Sequence, residues 1–304
     1  MTLPQIDGDE LLRHVPMHRA IEAIEQALLA GLDPEADLPR TVLDIDAGQL
    51  LLMPSTTSSY TGVKIAGVVP GNPARGLPRI VASYLLLGGA TLSPVALVDG
   101  AALTLLRTPA VSAVAVKHLA IPEAKRLVVF GAGPQAWAHV EAIRAVRPLA
   151  SVGVVARRPE QAVTMVERCR AADLDAEAVS PDAVSQADIV ACCTTSRTPL
   201  FPSSLVAPHT TVVAIGAHEA TAREVDTGMV SRATVVVEAR TAAMREAGDL
   251  LIPLGDGQIG ADVVAGNLAE LVNGSVETEP SRPRLFKSVG MPWQDLVVAV
   301  AAVG

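Results

Sequence analysis

A glycine-rich turn carries the clearest chemistry in this sequence. Gly131, Gly133 and Ala136 follow the apolar run LVVF and open a helical pattern. The first glycine permits a tight turn, the second lets the backbone approach a pyrophosphate, and the small third residue allows the helix to pack closely on the strand. The N–H groups at a helix start attract phosphate. We therefore expect a dinucleotide here, also contacted by Pro134 and Gln135, although a purely structural turn is the alternative.

The next apolar run ends in residues that indicate which dinucleotide is preferred. An acidic residue about 20 positions after the turn would hold a ribose hydroxyl. This sequence instead has Arg157 and Arg158 there, in the stretch VVARRPEQ. Guanidinium groups can donate to a 2′-phosphate, so NADP(H) is favoured and NAD(H) is the alternative. A solvated arginine pair is the other interpretation.

Two further sites are predicted from local sequence. Thr108 can cap a helix that starts at Pro109, so that its N–H groups and Arg107 would converge on one anion. An ordinary capped helix also explains the threonine and the proline. Thr194 and Thr195 follow the run DIVACC, at the strand end where sheets of this kind bind ligands. We expect them beside the ribose or the adenine.

These residues require a parallel sheet with crossover helices to position them. Short apolar runs alternate with helical patterns from residue 127 onward, which is typical of a doubly wound α/β fold. The runs are LVVF (127–130), VGVV (152–155), DIVACC (188–193), TVVAIG (211–216) and TVVVEA (234–239). We predict a Rossmann dinucleotide-binding domain over 109–285. Residues 1–108 predict a smaller α+β substrate-binding and dimerisation domain, to which residues 286–304 return.

Composition excludes several classes of protein. The chain has 304 residues, of which 50% are hydrophobic and 18% charged, so a large core is available and disorder is excluded. A net charge of -8 argues against nucleic acid, and an anionic substrate would then need a local cationic pocket.

Cysteine usage and the hydrophobic runs exclude further classes. The three cysteines are badly spaced for zinc or a disulfide framework, so we expect no metal site and a reducing compartment. The uncharged run 80–98 contains two glycines and a proline, which predicts a hairpin rather than a membrane span. The opening residues lack the apolar run of a secretory signal, so a cytoplasmic location is expected.

Several stretches resemble the ornithine cyclodeaminase and mu-crystallin family. They occur in family order and cover nearly the whole chain. They are PRTVL (39–43), LLMPS (51–55), YTGVKI (60–65), PGNPARGLP (70–78), LVDGAALTLLRTPA (97–110), FGAGPQA (130–136), IGAHEATAREVD (215–226), REAGDL (245–250) and FKSVGM (286–291). The family includes amino-acid cyclodeaminases, alanine dehydrogenases, reductases of cyclic ketimine carboxylates, and mu-crystallin, which reduces ketimines and binds thyroid hormone.

The resemblance implies a cationic site for a substrate carboxylate. Residue by residue, it implies that Arg40, Lys64 and Arg107 bind the carboxylate and that Lys64 also lies near the reacting carbon and nitrogen. Three cations in a partly desolvated site should lower the lysine pKa, which suits Lys64 to proton transfer near neutral pH. A solvent-facing Lys64 is the alternative. The family pattern also implies a homodimer joined through the first domain.

One triplet departs from the family pattern. Cyclodeaminases and the alanine dehydrogenase of the family have an aspartate in a GGD or GAD triplet, and this chain has Gly216, Ala217 and His218. A histidine can donate a proton to an imine nitrogen, or it can be a hydrogen-bonded loop residue. We therefore expect an NAD(P)H-dependent reductase of a small α-imino acid, such as pyrroline- or piperideine-2-carboxylate, with Lys64 or His218 supplying the nitrogen proton.

Two other functions stay open. One is an amino-acid enzyme of the cyclodeaminase or alanine dehydrogenase type; a cyclodeaminase would retain NAD and release ammonia without net reduction. The other is a non-catalytic protein that binds NADPH and a hydrophobic ligand, as mu-crystallin can. High ligand affinity without turnover would identify it.

Overall fold

A computed structural model describes residues 3–304, which divide into two compact units. The first unit contains residues up to 27 together with 36–110 and 291–304, and the second contains 28–35 and 111–290. Residues 28–35, which the sequence analysis placed in the first domain, lie in the second unit. The reason is local: the Glu35 carboxylate accepts hydrogen bonds from the backbone of Arg240 and from the Asn267 side chain.

Helices and strands alternate through most of the chain. The α-helices are α1 Gly8–His14, α2 Met17–Leu29, α3 Gly100–Leu119, α4 Pro134–Val146, α5 Pro159–Ala171, α6 Thr227–Arg232, α7 Arg240–Glu246, α8 Gly248–Gly255, α9 Leu268–Val272 and α10 Pro292–Val303. The strands are β1 Gln5–Ile6, β2 Thr41–Ile45, β3 Gly48–Thr56, β4 Tyr60–Val68, β5 Ile80–Gly88, β6 Pro94–Asp99, β7 Arg126–Phe130, β8 Ser151–Val155, β9 Asp175–Ala178, β10 Ile189–Cys192, β11 Thr211–Ala214, β12 Thr234–Val237, β13 Val264–Asn267 and β14 Arg284–Lys287.

The first unit is built on a six-stranded sheet in the order β1-β6-β5-β4-β3-β2. Strands β2 to β6 pair antiparallel in sequence, and β1 joins β6 in parallel. The hairpin predicted over residues 80–98 is confirmed as β5 and β6. No helix among residues 3–304 has both the length and the apolar character needed to cross a membrane.

Side-chain alternation gives this sheet two different faces. On β4, Lys64 and Ala66 are buried on the face that helix α10 covers, whereas the intervening Ile65 is 45% exposed. On β5, Tyr84 is buried and Val81 is 45% exposed, as period-two alternation requires. The covered face therefore presents Lys64 inward, and the opposite face is apolar and open in the monomer.

The second unit is built on an eight-stranded parallel sheet in the order β13-β12-β14-β11-β10-β7-β8-β9. The predicted doubly wound α/β class is confirmed, and each of the five apolar runs forms a strand. Strands β9, β13 and β14 were not predicted from the sequence. Strand β14 pairs with β11 and β12 in this sheet, so its last residues, Phe286 and Lys287, lie in the second unit rather than in the first domain as predicted.

Candidate functional site

The glycine turn leaves an open space at the start of helix α4. Gly131 has φ of 110°, and a Cβ there would lie 2.6 Å from the carbonyl oxygen of Cys193, so glycine is required for both conformation and packing. A Cβ on Gly133, by contrast, would meet no heavy atom within 4 Å. Gly133 is the residue before the first turn of α4, whose first residue is Pro134. The backbone at this helix start is therefore open, as close approach of a pyrophosphate would require.

The other predicted cofactor residues lie at the same edge of the sheet. Strands β8 and β10 flank β7 on either side, with Val155 and Cys192 level with Phe130. Arg157 and Arg158 follow β8, and both are exposed. Thr194 and Thr195 follow β10. The structure thus brings the two arginines, the turn and the two threonines to the carboxyl edge, where such sheets bind dinucleotides.

A buried histidine supports the first turn of α4, and sequence reasoning missed it. Nδ1 of His139 lies 2.7 Å from the carbonyl oxygen of Gln135, and Nε2 lies 2.9 Å from the Ser112 hydroxyl. A carbonyl can only accept, so Nδ1 carries the proton and Nε2 accepts from the serine. Burial lowers the pKa of His139 to about 4. The imidazole is therefore neutral at pH 7 and links α3 to the turn.

In the first unit, Lys64 and Arg107 share one buried carboxylate. Nζ of Lys64 lies 2.7 Å from Oδ2 of Asp295 and 3.2 Å from the Thr104 hydroxyl. Nε of Arg107 lies 3.3 Å from Oδ1 of the same carboxylate, and its Nη1 donates to Gln294 at 2.9 Å. Lys64 is 2% and Arg107 6% exposed. The alternative of a solvent-facing lysine is therefore wrong.

Burial and the neighbouring charges together set the pKa of Lys64. Burial lowers the pKa of Lys64 to about 8, the positive charges of Arg107 and Arg40 act in the same direction, and Asp295 acts against them. The direction agrees with the sequence expectation, but burial is the first cause. Arg40 is half-buried and directly precedes β2 in the same unit.

Two residues of α10 complete the cluster and were missed from sequence. Gln294 and Asp295 are both 0% exposed, and each binds Arg107. The available signal was an acid and an amide within the otherwise apolar stretch PWQDLVVAVAAV. Charged side chains are almost never fully buried unless paired, so this pattern indicates a buried partner for a cation.

Asp37 and Tyr84 surround this carboxylate. Asp37 accepts hydrogen bonds from the Ser55 hydroxyl at 2.7 Å and from the Trp293 backbone N–H at 2.9 Å, and burial raises its pKa. Tyr84 is fully buried, and burial followed by the charge of Asp295 raises its pKa, so its phenol stays neutral. Asp37 and Tyr84 therefore add polar groups to the surroundings of Asp295.

The predicted helix cap at Thr108 is wrong. Helix α3 begins at Gly100, where the Asp99 carboxylate accepts hydrogen bonds from the N–H groups of Ala101 and Ala102. Pro109 lies inside this helix, and the Thr108 hydroxyl donates to the Thr104 carbonyl one turn earlier. A stronger cap upstream overrides the local Thr-Pro signal. Residue 108 therefore offers no helix N-terminus to an anion.

His218 lies on an exposed loop of the second unit. Its Nδ1 is 3.2 Å from the carbonyl oxygen of Gly216, two residues earlier. The loop follows β11, which adjoins β10, so His218 comes from the same edge of the sheet as Thr194. Among residues 3–304 no group of three or more His, Cys, Asp or Glu side chains is arranged to hold a metal ion.

Comparisons with known proteins agree on one family. The model of the ornithine cyclodeaminase/mu-crystallin family matches residues 9–303. The chain is 34% identical over 286 residues to a Delta(1)-pyrroline-2-carboxylate reductase of Paracoccus denitrificans, covering 92% of this chain and 90% of that protein.

Solved structures give the same result. The Thermococcus litoralis Delta(1)-pyrroline-2-carboxylate reductase, in complex with NADH and L-proline, superposes with a TM-score of 0.93 at 30% identity, covering 99% of this chain and 96% of that chain. An archaeal alanine dehydrogenase dimer with bound NAD gives a TM-score of 0.94 at 28% identity, with 99% and 95% covered.

Proposed function

Because this chain belongs to the ornithine cyclodeaminase/mu-crystallin family, we propose that it is an NAD(P)H-dependent reductase of a small α-imino acid. The substrate class is a cyclic ketimine carboxylate, such as pyrroline- or piperideine-2-carboxylate. One observation carries the proposal: Lys64 and Arg107 are buried together around a single carboxylate, 2.7 Å and 3.3 Å from its oxygens. Two similar proteins are named for pyrroline-2-carboxylate reduction.

The cation cluster suits a substrate that carries one carboxylate. Arg40, Lys64 and Arg107 bring three positive charges against the two carboxylates of Asp295 and Asp37, so the net charge is positive and favours an anionic ligand. Arg107 and Arg40 bind the substrate carboxylate in this mechanism, and guanidinium groups suit the planar carboxylate. This binding fixes the adjacent C=N bond near Lys64.

Lys64 is the proton donor of the proposed reaction. An ammonium has three N–H donors; Asp295 and Thr104 occupy two of them, which leaves the third for the imine nitrogen. A pKa of about 8 keeps most of the lysine protonated at neutral pH and still lets it release the proton. A reduced nicotinamide bound at the glycine turn would supply the hydride for the C=N carbon. Solvent then reprotonates Lys64. His218 is the second candidate donor, because its loop follows β11 at the edge of the glycine turn.

The glycine turn holds the nicotinamide dinucleotide, and Arg157 and Arg158 favour NADP(H). Both arginines are exposed beside the turn, where a 2′-phosphate would lie. The solved relatives contain NADH or NAD, so NAD(H) is the alternative, and the ratio of kcat/KM values for NADPH and NADH decides between them. The proposal includes a cytoplasmic location, where Cys192 and Cys193 stay reduced.

We also propose that a second copy of this chain covers the open face of the sheet in the first unit. Ile65 and Val81 on that face are each 45% exposed, and an apolar sheet face of this kind marks an interface. The archaeal alanine dehydrogenase is a dimer. Sedimentation of the wild type should give a dimer, and Ile65→Glu should give a monomer. A wild-type monomer would contradict this part of the proposal.

A substrate panel tests the activity. Cyclic ketimine carboxylates and amino acids are assayed with NADPH and with NADH, following both cofactor oxidation and ammonia release. The proposal expects cofactor oxidation with pyrroline- or piperideine-2-carboxylate. Release of ammonia from ornithine without net reduction would instead identify a cyclodeaminase, and tight ligand binding without turnover would identify a binding protein. Alanine oxidation faster than every imine reduction would support an alanine dehydrogenase.

A further inference from the structure

Three buried charged side chains form a network in the second unit, outside the groups assigned above. Glu224, Asp249 and Lys287 are exposed by 0%, 0% and 1%. Nζ of Lys287 lies 2.9 Å from Oδ2 of Asp249 and also donates to the carbonyl of Ala217. Burying charges costs several kcal/mol per ion before pairing, so a buried pair is weak evidence for stability alone. The role of this buried network therefore follows from the backbone segments that its side chains bind.

The network closes both ends of the loop 215–226. Oδ1 of Asp249 accepts hydrogen bonds from the backbone N–H groups of Glu224 and Val225, at 2.7 Å and 3.0 Å. Oε2 of Glu224 accepts from the N–H of Gly216 at 2.7 Å. Lys287 holds the next residue, Ala217, through its carbonyl. Residues near both ends of the loop are therefore fixed to one set of charges, and His218 immediately follows the first fixed segment.

The same network holds the neighbouring loop. Oε1 of Glu224 accepts from the backbone N–H of Thr194 at 2.9 Å and from its hydroxyl at 2.7 Å. The contact is close, because a Cβ on Gly216 would lie 2.0 Å from the Thr194 carbonyl oxygen and 2.6 Å from Glu224 Oε1. The loops after β10 and β11 are thus joined at the carboxyl edge of the sheet.

We propose that Glu224, Asp249 and Lys287 are positioning residues that fix these two loops against the nicotinamide half of the bound dinucleotide. The adenosine half lies on the other side of the switch point between β7 and β10, next to the glycine turn and β8. This inference rests on the proposed nicotinamide cofactor and extends it to residues that do not themselves touch the ligand.

The test separates the two halves of the cofactor. Affinities for NADPH and for 2′-phosphorylated ADP-ribose (hereafter ADP-ribose), which keeps the 2′-phosphate but lacks the nicotinamide, are measured for Glu224→Gln, Lys287→Met and Thr194→Val, together with kcat for reduction of the imino acid. We expect kcat to fall at least about tenfold, since small misplacements remote from the chemistry can cost a hundredfold. NADPH affinity should weaken, while ADP-ribose affinity stays within about twofold of wild type, because the phosphate-binding turn is unaffected.

A matched control comes from the opposite edge of the same sheet. The Asp188 carboxylate accepts hydrogen bonds from the N–H groups of Lys125 and Arg126, at 2.8 Å and 2.9 Å, where β7 and β10 begin. Asp188→Asn should lower the unfolding temperature and leave kcat and both affinities unchanged. Thermal unfolding is recorded for every variant, and Thr194→Val, at a half-buried position, tests the proposal if Lys287→Met does not fold.

Two results would overturn the inference. One is wild-type kcat and NADPH affinity in folded Glu224→Gln and Thr194→Val. The other is an equal loss of ADP-ribose and NADPH binding, which would indicate general disruption. If the wild type reduces no imino acid, the proposed substrate is wrong, but the comparison of NADPH with ADP-ribose still tests the positioning role.

Discussion

Replacement of Asp295 by asparagine should move the pH dependence of the reduction. Its carboxylate lies 2.7 Å from Nζ of Lys64, and both side chains are buried. Burial lowers the pKa of Lys64 to about 8 while the carboxylate raises it. A nearby opposite charge shifts a pKa by about 1–3 units, so Lys64 in Asp295→Asn should titrate at about 5–7. The ammonium is the proton donor, so kcat/KM falls as the pH rises through this pKa.

The expected loss at one pH follows from the protonated fraction. If the pKa falls from about 8 to about 6, kcat/KM at pH 7.5 should fall about 25-fold, while the limiting value at low pH stays closer to wild type. The assay measures kcat/KM for the imino acid from pH 5 to pH 10 with saturating NADPH. Titration of the imino acid itself is common to all enzymes compared and cancels in the difference.

Gln294→Met is the matched control for this experiment. It removes the hydrogen bond that Arg107 donates at 2.9 Å but changes no charge. Its alkaline limb should stay at about pH 8, whatever its effect on KM. If the alkaline limb of the pH profile of Asp295→Asn lies at the same pH as in wild type, the reasoning is refuted. Either Lys64 is then not the proton donor, or Asp295 does not raise its pKa.

Three further outcomes are expected. Gly133→Ala should fold with an unchanged unfolding temperature, because the added Cβ meets no atom within 4 Å. Fluorescence titration should nevertheless show at least about tenfold weaker NADPH binding, since the Cβ occupies the space of the pyrophosphate. Unchanged affinity would place the phosphates elsewhere. Arg157→Asp with Arg158→Ser should lower the NADPH to NADH ratio of kcat/KM by about 10- to 100-fold, the value of one or two charge-assisted hydrogen bonds; an unchanged ratio would place the pair away from the phosphate. His139 has a pKa of about 4 in the folded state and about 6.5 in the unfolded state. Between these values only the unfolded state binds the proton, so the free energy of unfolding falls by up to about 3 kcal/mol as the pH drops from 6.5 to 4. Urea unfolding at pH 5 and pH 7 should give a smaller difference in the free energy of unfolding for His139→Gln than for wild type, and an equal difference would contradict the assignment.

The parallel sheet and its glycine turn could be predicted because their signals are local. A strand buried on both faces forms a continuous apolar run, as β10, β11 and β12 do. Strand β9 lies at the edge of the sheet with the sequence DAEA, and β14 has only RLFK, with a charge at each end. Neither gives an apolar run, so only the pairing of distant segments reveals these two strands.

The candidate site could be predicted only in part for the same reason. The resemblance implied the substrate-binding role of Lys64 and Arg107, whereas their shared partner Asp295 lies 231 residues from Lys64 in sequence. No spacing rule connects the two. The Thr108 cap failed for the opposite reason: a favourable local pattern was present, but the helix had already begun at Gly100.

The position of β14 has a consequence for how the chain is made. This strand lies between β11 and β12 although it is the last strand in sequence. Until residues 284–287 have been synthesised and have left the ribosome, β11 and β12 have unpaired edges, and such edges can pair with other chains. The eight-stranded sheet therefore closes only near the end of synthesis, so C-terminal truncations before residue 284 should aggregate rather than yield a stable fragment.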